Sequence, residues 1–324
     1  MTSLIDKAAR YLGRSGPLHR LRNRSRFRGL IVDDDVSLDV SGEFQYGMGC
    51  SIGTGSNITV PQGAALALGD GCYVGRHVEL GPTGTVRIGT DTSIQDRCIL
   101  LGEISIGRYC RFAPNIYASS GRHYFDLQPT WLIQDQDQHV ARDPALAARH
   151  HRPVVVEDDC WLGINSVLLP GITLGKGAVI GAGSIVSRDV EPYTVVAGCP
   201  ARLIRKRLEF TPPCRLNWAN SAAWPYFYAG FEISQAAMRT NAAHGGLVAR
   251  GEFRLSLDTR GAGSLHLVAK SAATAGVVRV HGQQRAVTER FDELVFELAD
   301  GAGPIRGECA PPLAAIVISE AWVE

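Results

Sequence analysis

Aliphatic side chains return every sixth residue along much of this chain, and that period limits its fold more than any other feature. The series runs Ile52 and Ile58, then Leu68, Val74 and Leu80, then Ile88, Ile94, Leu100, Ile106 and Phe112. It resumes at Val156, Leu162, Leu168, Leu174, Ile180 and Val186. A helix stripe needs a period near 3.6 and a half-buried strand needs alternation at two, so neither fits. A short strand followed by a corner does fit, repeated as the three faces of a triangular coil. Many of the aliphatics are followed directly by glycine, as at Gly53, Gly75, Gly89 and Gly163, which lets the backbone turn without a Cβ clash. Four residues after the aliphatic stands a small residue such as Ser56, Thr92, Ser166 or Ser184, expected to point inward near the corner. One coil cannot bury its own face, so several must stack, pairing strands in parallel.

Cys50, Cys72, Cys98, Cys110 and Cys160 fall on that same small inward position. They are expected to be packing residues. None of the eight cysteines forms a C-x-x-C pair, which speaks against a zinc knuckle, and a disulfide framework is not expected in a reducing compartment. The register shifts twice, between Ile58 and Leu68 and again around Gly81-Pro82-Thr83-Gly84, both read as altered corners. A larger interruption spans 119–153, and a loop of that length inside a regular solenoid is usually functional or disordered.

At 324 residues the chain is long enough for two or three domains. Its 36 glycines follow no strict triplet, which excludes collagen and leaves the coil corners to use them. A formal net charge of +1 gives no global field toward nucleic acid, so no nucleic-acid partner is expected. No apolar run is long enough to span a bilayer and no secretory leader is legible, so a cytoplasmic location is expected. Residues 1–30 carry eight Lys or Arg against Asp6, with Leu4, Ile5, Ala8, Ala9 and Leu12 able to form one helix face. This basic helical segment is expected to cap the coils, with peripheral contact to an anionic inner-membrane face as its second reading. Past Thr211-Pro212-Pro213 the period changes to alternation, as in Ser264-Leu-His-Leu-Val-Ala and Glu293-Leu-Val-Phe-Glu-Leu. An antiparallel β-sandwich is expected over 208–324. The fold class is therefore all-β: a parallel β-helix over 31–207, an accessory β-sandwich, and a short N-terminal helix.

Residues 154–207, from V-V-V-E-D-D-C-W-L-G-I-N-S-V-L-L-P-G through G-A-G-S-I-V to C-P-A-R-L-I-R-K-R, resemble the hexapeptide-repeat acyltransferases, especially the maltose and galactoside O-acetyltransferase branch. The resemblance extends over about 40–207. It implies a left-handed β-helix, a homotrimer, and acetyl-CoA bound between subunits. In that family a catalytic histidine follows an alanine-proline segment at the start of a projecting loop. Here F-A-P-N-I-Y-A-S-S-G-R-H-Y-F-D places His123 in that role, with Asp126 as the acid that would orient it.

By the same resemblance, Trp161, Gly163, Lys176, Gly181, Ala182, Ser184, Arg202 and Lys206 would hold acetyl-CoA, the cations facing its phosphates. Gln95, Asp96, Asn115, Tyr124 and Trp131 would face the acceptor. No metal is implied. The expected reaction is O-acetylation of a sugar hydroxyl in a surface polysaccharide or its precursor, including a lipid-linked glycan, with an imidazole as general base. Three other readings stand beside it: N-acetylation of a nucleotide-linked amino sugar, a metal hydratase like the γ-type carbonic anhydrases, and a non-catalytic glycan-binding scaffold. The hydratase would need three histidines converging on Zn²⁺.

Overall fold

The computed structural model describes residues 27–33, 35–272, 276–298, 304–310 and 315–324. Most of the basic N-terminal segment therefore lies outside the described residues. The chain divides into two compact units, Met1–Glu209 and Phe210–Glu324.

In the first unit, short strands stack in parallel on three faces. One face runs through Ile31–Val32, Ser51–Ile52, Tyr73–Val74, Ser93–Ile94, Arg111–Phe112, Trp161–Leu162 and Val179–Ile180 to Thr194–Ala197, on which Arg202–Lys206 pairs antiparallel. A second runs through Ser37–Val40, Asn57–Val60 and Tyr117–Ser119 to Val167–Leu168 and Ile185–Val186. The third includes Ala65–Leu68, Val154–Val156 and Thr173–Leu174. Two longer strands, Glu79–Ile88 and Ile99–Ile106, bend across the second and third faces, with a register shift between Gly102 and Ile104. The residues read as an altered corner, Gly81 to Gly84, lie inside the first of these strands.

The six-residue series is the core of this solenoid. Ile58, Val74, Leu80, Ile94, Leu100, Leu162, Leu168 and Leu174 have no exposed surface. Burying each is worth about 1.5–3 kcal/mol, and stacking makes the contribution repeat from coil to coil. The small inward residues do more than fill space. Ser56 donates to the Gly75 carbonyl at 2.9 Å, Thr92 to Gly107 at 2.8 Å and Cys110 to Glu157 at 3.0 Å. Each short side chain donates to a carbonyl at the corner of the following coil, tying one coil to the next. Residues with positive φ also recur once per coil: His77, Arg97, Asn115 and Asn165 form one such series.

The 119–153 interruption leaves the solenoid at a corner and returns to it. Tyr117–Ser119 pairs with Ile99–Leu101, and Val154–Val156 pairs with Ile104–Ile106, so the coil closes as if the insertion were absent. Both ends of the insertion are fastened to Glu103. Its backbone N–H donates to Ser120 Oγ at 2.7 Å, and its carboxylate meets His151 Nε2 at 2.9 Å. The insertion also holds two helices that the period analysis did not separate from loop, α1 (Ile133–Arg142) and α2 (Pro144–Arg149). Asp143 caps α2 by accepting from the N–H groups of Ala145 and Leu146, and Pro144 opens the helix.

The second unit is antiparallel β, as expected, but its strands form one continuous sheet. The order runs from Gln283–Val287 through Gly276–Val280, Ile305–Ala310, Leu247–Leu255, Ala315–Val323 and Ser264–Ser271 to Asp292–Glu297. The two outermost strands approach each other. Gln283 Nε2 donates to the Glu297 carbonyl at 2.7 Å, and Arg285 Nε to the Val295 carbonyl at 3.0 Å. The sheet thus curls around its own core, which includes Phe253, Leu265, Leu267, Phe296, Ile316 and Ile318. The helix Gln235–His244 lies between Phe227–Phe231 and Leu247–Leu255 in chain order.

Candidate active site

His123 stands four residues beyond Ser119, where the insertion begins. Its side chain is 82% exposed, and Nδ1 lies 2.7 Å from Asp137 Oδ2 on α1. The other carboxylate oxygen of Asp137 accepts the backbone N–H of Tyr124 at 2.8 Å. That N–H, and then the imidazole, hold the Asp137 carboxyl below the usual carboxylate range. An ionised carboxylate can only accept, so Nδ1 carries a proton in this contact, and it is the neutral form of the ring that presents a lone pair at Nε2.

Asp126 therefore does not occupy the orienting position that the sequence suggested for it. It pairs instead with Arg122 at 2.8 Å, one helical turn's spacing away along the loop. Arg122 in turn lies over the Tyr124 and Phe125 rings, at 5.1 and 5.9 Å from their centroids. No short-range signal marks Asp137, because it reaches His123 across fourteen positions through the packing of α1.

Gln136 supports this arrangement from below. Its side chain is 1% exposed; Oε1 accepts the N–H groups of Leu127 and Gln128 at 3.1 Å each, and Nε2 donates to the Trp131 carbonyl at 3.3 Å. One buried amide thus ties the segment after His123 to α1. Trp131 meets His139 edge to face at 5.7 Å, and Tyr124 meets His150 in the same way at 5.5 Å.

The remaining acceptor candidates belong to the coil wall. Asp96 takes Arg76 in a salt bridge at 2.7 Å and also accepts the Arg76 backbone N–H. These contacts hold its carboxyl below the usual range and give it a coil-to-coil role. Gln95 is half-buried beside it, its N–H donating to the Phe112 carbonyl. Asn115 joins a corner ladder: Arg97 Nε donates to its Oδ1 at 2.8 Å, and its Nδ2 donates to Asn165 Oδ1 at 2.9 Å.

The residues expected to hold a coenzyme divide in two. Trp161 is 56% exposed on a coil face, between Arg111 and Val179 in neighbouring rungs. A Cβ on Gly163 would lie 2.6 Å from the Ala182 backbone N, and one on Gly181 would lie 2.7 Å from the Ala197 Cβ. Ala182 and Gly183 are exposed, with open space around Gly183. Arg202 and Arg205 lie on an exposed strand, Arg202–Lys206, and their guanidiniums donate to the backbone carbonyls of Ala201 and Lys206. Lys206 is shared between Glu191 and Glu209, and Arg207 pairs with Asp159 at 2.9 Å.

Two candidates face inward instead. Ser184 is fully buried, donating to the Gly181 carbonyl and accepting from Gly198 N–H. Lys176 is 1% exposed, near Asp158 and Arg108, so its ammonium is not offered to a ligand at the surface. Both positions fall within repeat units, and coil packing claims them first.

Among the described residues, no group of three His, Cys, Asp or Glu side chains is arranged to hold a metal. No helix there is long and apolar enough to cross a membrane.

Comparison with known proteins bears on the first unit. Residues 153–188 match the family model described as the hexapeptide repeat of succinyl-transferase. A chloramphenicol acetyltransferase from Escherichia coli is 35% identical over 113 residues, covering 32% of this chain and 52% of that protein. A crystal structure of a maltose O-acetyltransferase from Clostridium difficile 630 is 31% identical, covering 38% of this chain and 60% of that one, with a TM-score of 0.30. A hexapeptide-repeat acetyltransferase from Vibrio cholerae O1 biovar eltor, solved with acetyl coenzyme A, is 22% identical over 64% of this chain and 92% of its own, with a TM-score of 0.35. The chain spans about half the length of the first curated relative and 60% of another chloramphenicol acetyltransferase, from Klebsiella aerogenes.

Proposed function

We propose that this hexapeptide-repeat chain is an O-acetyltransferase that moves an acetyl group from acetyl-CoA to a sugar hydroxyl, with His123 as general base and Asp137 as its positioning residue. The observation that carries the reading is the exposed imidazole held at Nδ1 by an ionised carboxylate. Acetyl-CoA would supply the acyl group as an activated thioester. Trp161, the small residues Gly163, Gly181 and Ala182, and the guanidiniums of Arg202 and Arg205 would hold it. The exposure of those two arginines and the open space at Gly183 support that fit.

His123 accepts the acceptor's hydroxyl proton at Nε2 as the oxygen bonds to the thioester carbon. The imidazolium that forms is stabilised by Asp137, as in other nucleophile–base–carboxylate arrangements. His123 then returns the proton to sulfur as the C–S bond breaks, leaving an acetyl ester and free CoA. Tyr124 and Trp131, whose rings lie within the insertion against His150 and His139, would receive the sugar. The reading includes a homotrimer, supported by exposed Leu203 and Ile204 at 61% and 62%, and a surface polysaccharide or its lipid-linked precursor as acceptor.

His123→Ala tests it. Turnover is expected to fall by roughly 10²–10⁴ while CoA affinity stays within about twofold. Unchanged turnover would remove His123 from the mechanism.

A further inference from the structure

The outer face of the second unit carries a groove of about 620 Å³, a volume within the range of small-ligand sites, whose lining includes Glu252, Arg254, Arg279, Arg306 and Glu308. The sheet register fixes where these side chains stand. Glu308 lies directly opposite Arg279 on one neighbouring strand and Glu252 on the other. Arg306 lies directly opposite Arg254. Two polar rows therefore cross the strands side by side.

Three of these groups are already engaged within the protein. Arg279 approaches Glu308 at 3.7 Å and donates from Nε to Gln284 Oε1 at 3.1 Å. Arg254 lies over the Tyr228 ring, 5.0 Å from its centroid. Glu252 and Arg306 differ from them. Both are exposed, and neither side chain makes a hydrogen bond or ion pair among the described residues. They stand diagonally on adjacent strands, one offering acceptors and the other donors. Each also faces its own sign, Glu252 against Glu308 and Arg306 against Arg254, an arrangement that destabilises a sheet.

We infer that this groove binds an uncharged glycan segment through its hydroxyls. A hydroxyl donates and accepts, so neighbouring hydroxyls of one sugar can donate to the Glu252 carboxylate and accept from the Arg306 guanidinium. Ions fit less well. An anion on Arg306 lies beside the Glu252 and Glu308 carboxylates, and a cation on Glu252 lies beside Arg254 and Arg306. A neutral ligand meets neither repulsion and leaves the Arg279–Glu308 pair intact. The site is separate from His123, lies in the other unit, and takes its ligand without acetyl-CoA.

The test is calorimetric titration of the full chain with no acetyl-CoA present, so its outcome is independent of acetyl transfer. The probes are three neutral trisaccharides (maltotriose, cellotriose and β-1,4-mannotriose), anionic trigalacturonate, the cationic trimer of glucosamine, and zwitterionic glycylglycine. The best neutral probe is expected to bind at least about tenfold more tightly than any charged or zwitterionic one. Its affinity is expected to stay within about twofold between about 50 and 500 mM salt, because no ligand charge is screened. Glu252→Val and Arg306→Val are each expected to lower that affinity about tenfold or more. Each should melt no lower than the parent, since a β-branched residue replaces one member of a like-charge pair. No binding of any neutral probe, an equal or better charged or zwitterionic probe, an affinity that falls steeply with salt, or full affinity in either variant would each overturn the inference. The first three of these are read on the unaltered chain.

Discussion

Asp137 Oδ2 sits 2.7 Å from His123 Nδ1 while its Oδ1 accepts the N–H of Tyr124, so one carboxylate fixes both the ring and the backbone next to it. Asp137→Asn separates these functions. The amide can still accept from Tyr124, but its NH₂ can turn toward Nδ1 and favour the tautomer with the proton on Nε2. That tautomer cannot act as a base. Turnover is expected to fall about 10²-fold or more with little change in CoA affinity, whereas Asp126→Asn leaves turnover within a few-fold. Equal losses in the two variants would return the orienting role to Asp126.

Gln136 is the single buried amide under the segment after His123. Replacing it with Leu keeps the volume but leaves the N–H groups of Leu127 and Gln128 without their acceptor. Leu127 is half-buried and Gln128 exposed, so water can replace part of the lost acceptor and the cost stays below the roughly 1–3 kcal/mol of a fully buried donor; the segment should open locally rather than unfold the coils. Hydrogen exchange over residues 123–131 is expected to speed up, while Ile94, Leu100 and Leu162 stay protected. Unchanged exchange in that segment would show that the helix holds it by other means.

Six of the eight cysteines are buried and two, Cys199 and Cys214, are exposed. Burial pushes the Cys72 thiol up to about 12 and the Cys98 and Cys309 thiols up to about 11, and raises Cys160 as well. A thiol reagent at pH 8 should therefore titrate two groups in the native protein and all eight in denaturant. Rapid native labelling at Cys110 or Cys160 would contradict the closed coil interior.

The coil core was legible because it needs only local information. An aliphatic such as Ile94 or Leu162 and a small residue four positions on are set by the width of one coil, which repeats. The alternation in Leu265, Leu267 and Ala269 likewise marked a half-buried strand. The strand order of the second unit was not legible, since pairing of Leu247–Leu255 with Ile305–Ala310 depends on distant chain. The same limit hid Asp137. Segment 133–142 reads as polar loop by composition, and only the folded helix carries its acid back to His123. Lys176 was misjudged for the opposite reason: a basic residue in a loop-like G-K-G looks solvated, yet the adjoining coil covers it.

That burial has a measurable consequence for stability. Desolvation lowers the Lys176 pKa from 10.5 to about 8, with Asp158 opposing the shift and Arg108 adding to it. Below pH 8 both folded and unfolded chains hold the proton, and the cost of burying the ammonium, roughly 3 kcal/mol, is fully present. Between pH 8 and 10.5 the folded chain releases the proton while the unfolded chain keeps it, so this group makes stability rise with pH. The buried thiols act in the other direction above pH 9, since their folded-state values are raised. Subtracting the unfolding free energy of Lys176→Met from that of the parent removes the thiol contribution common to both. The difference is expected to favour the parent increasingly from pH 8 to 10.5, by up to roughly 3 kcal/mol, in urea titrations taken at successive pH values. Parallel curves across that window would mean that Lys176 keeps its proton when folded, satisfied by Asp158 and its neighbours despite the loss of water.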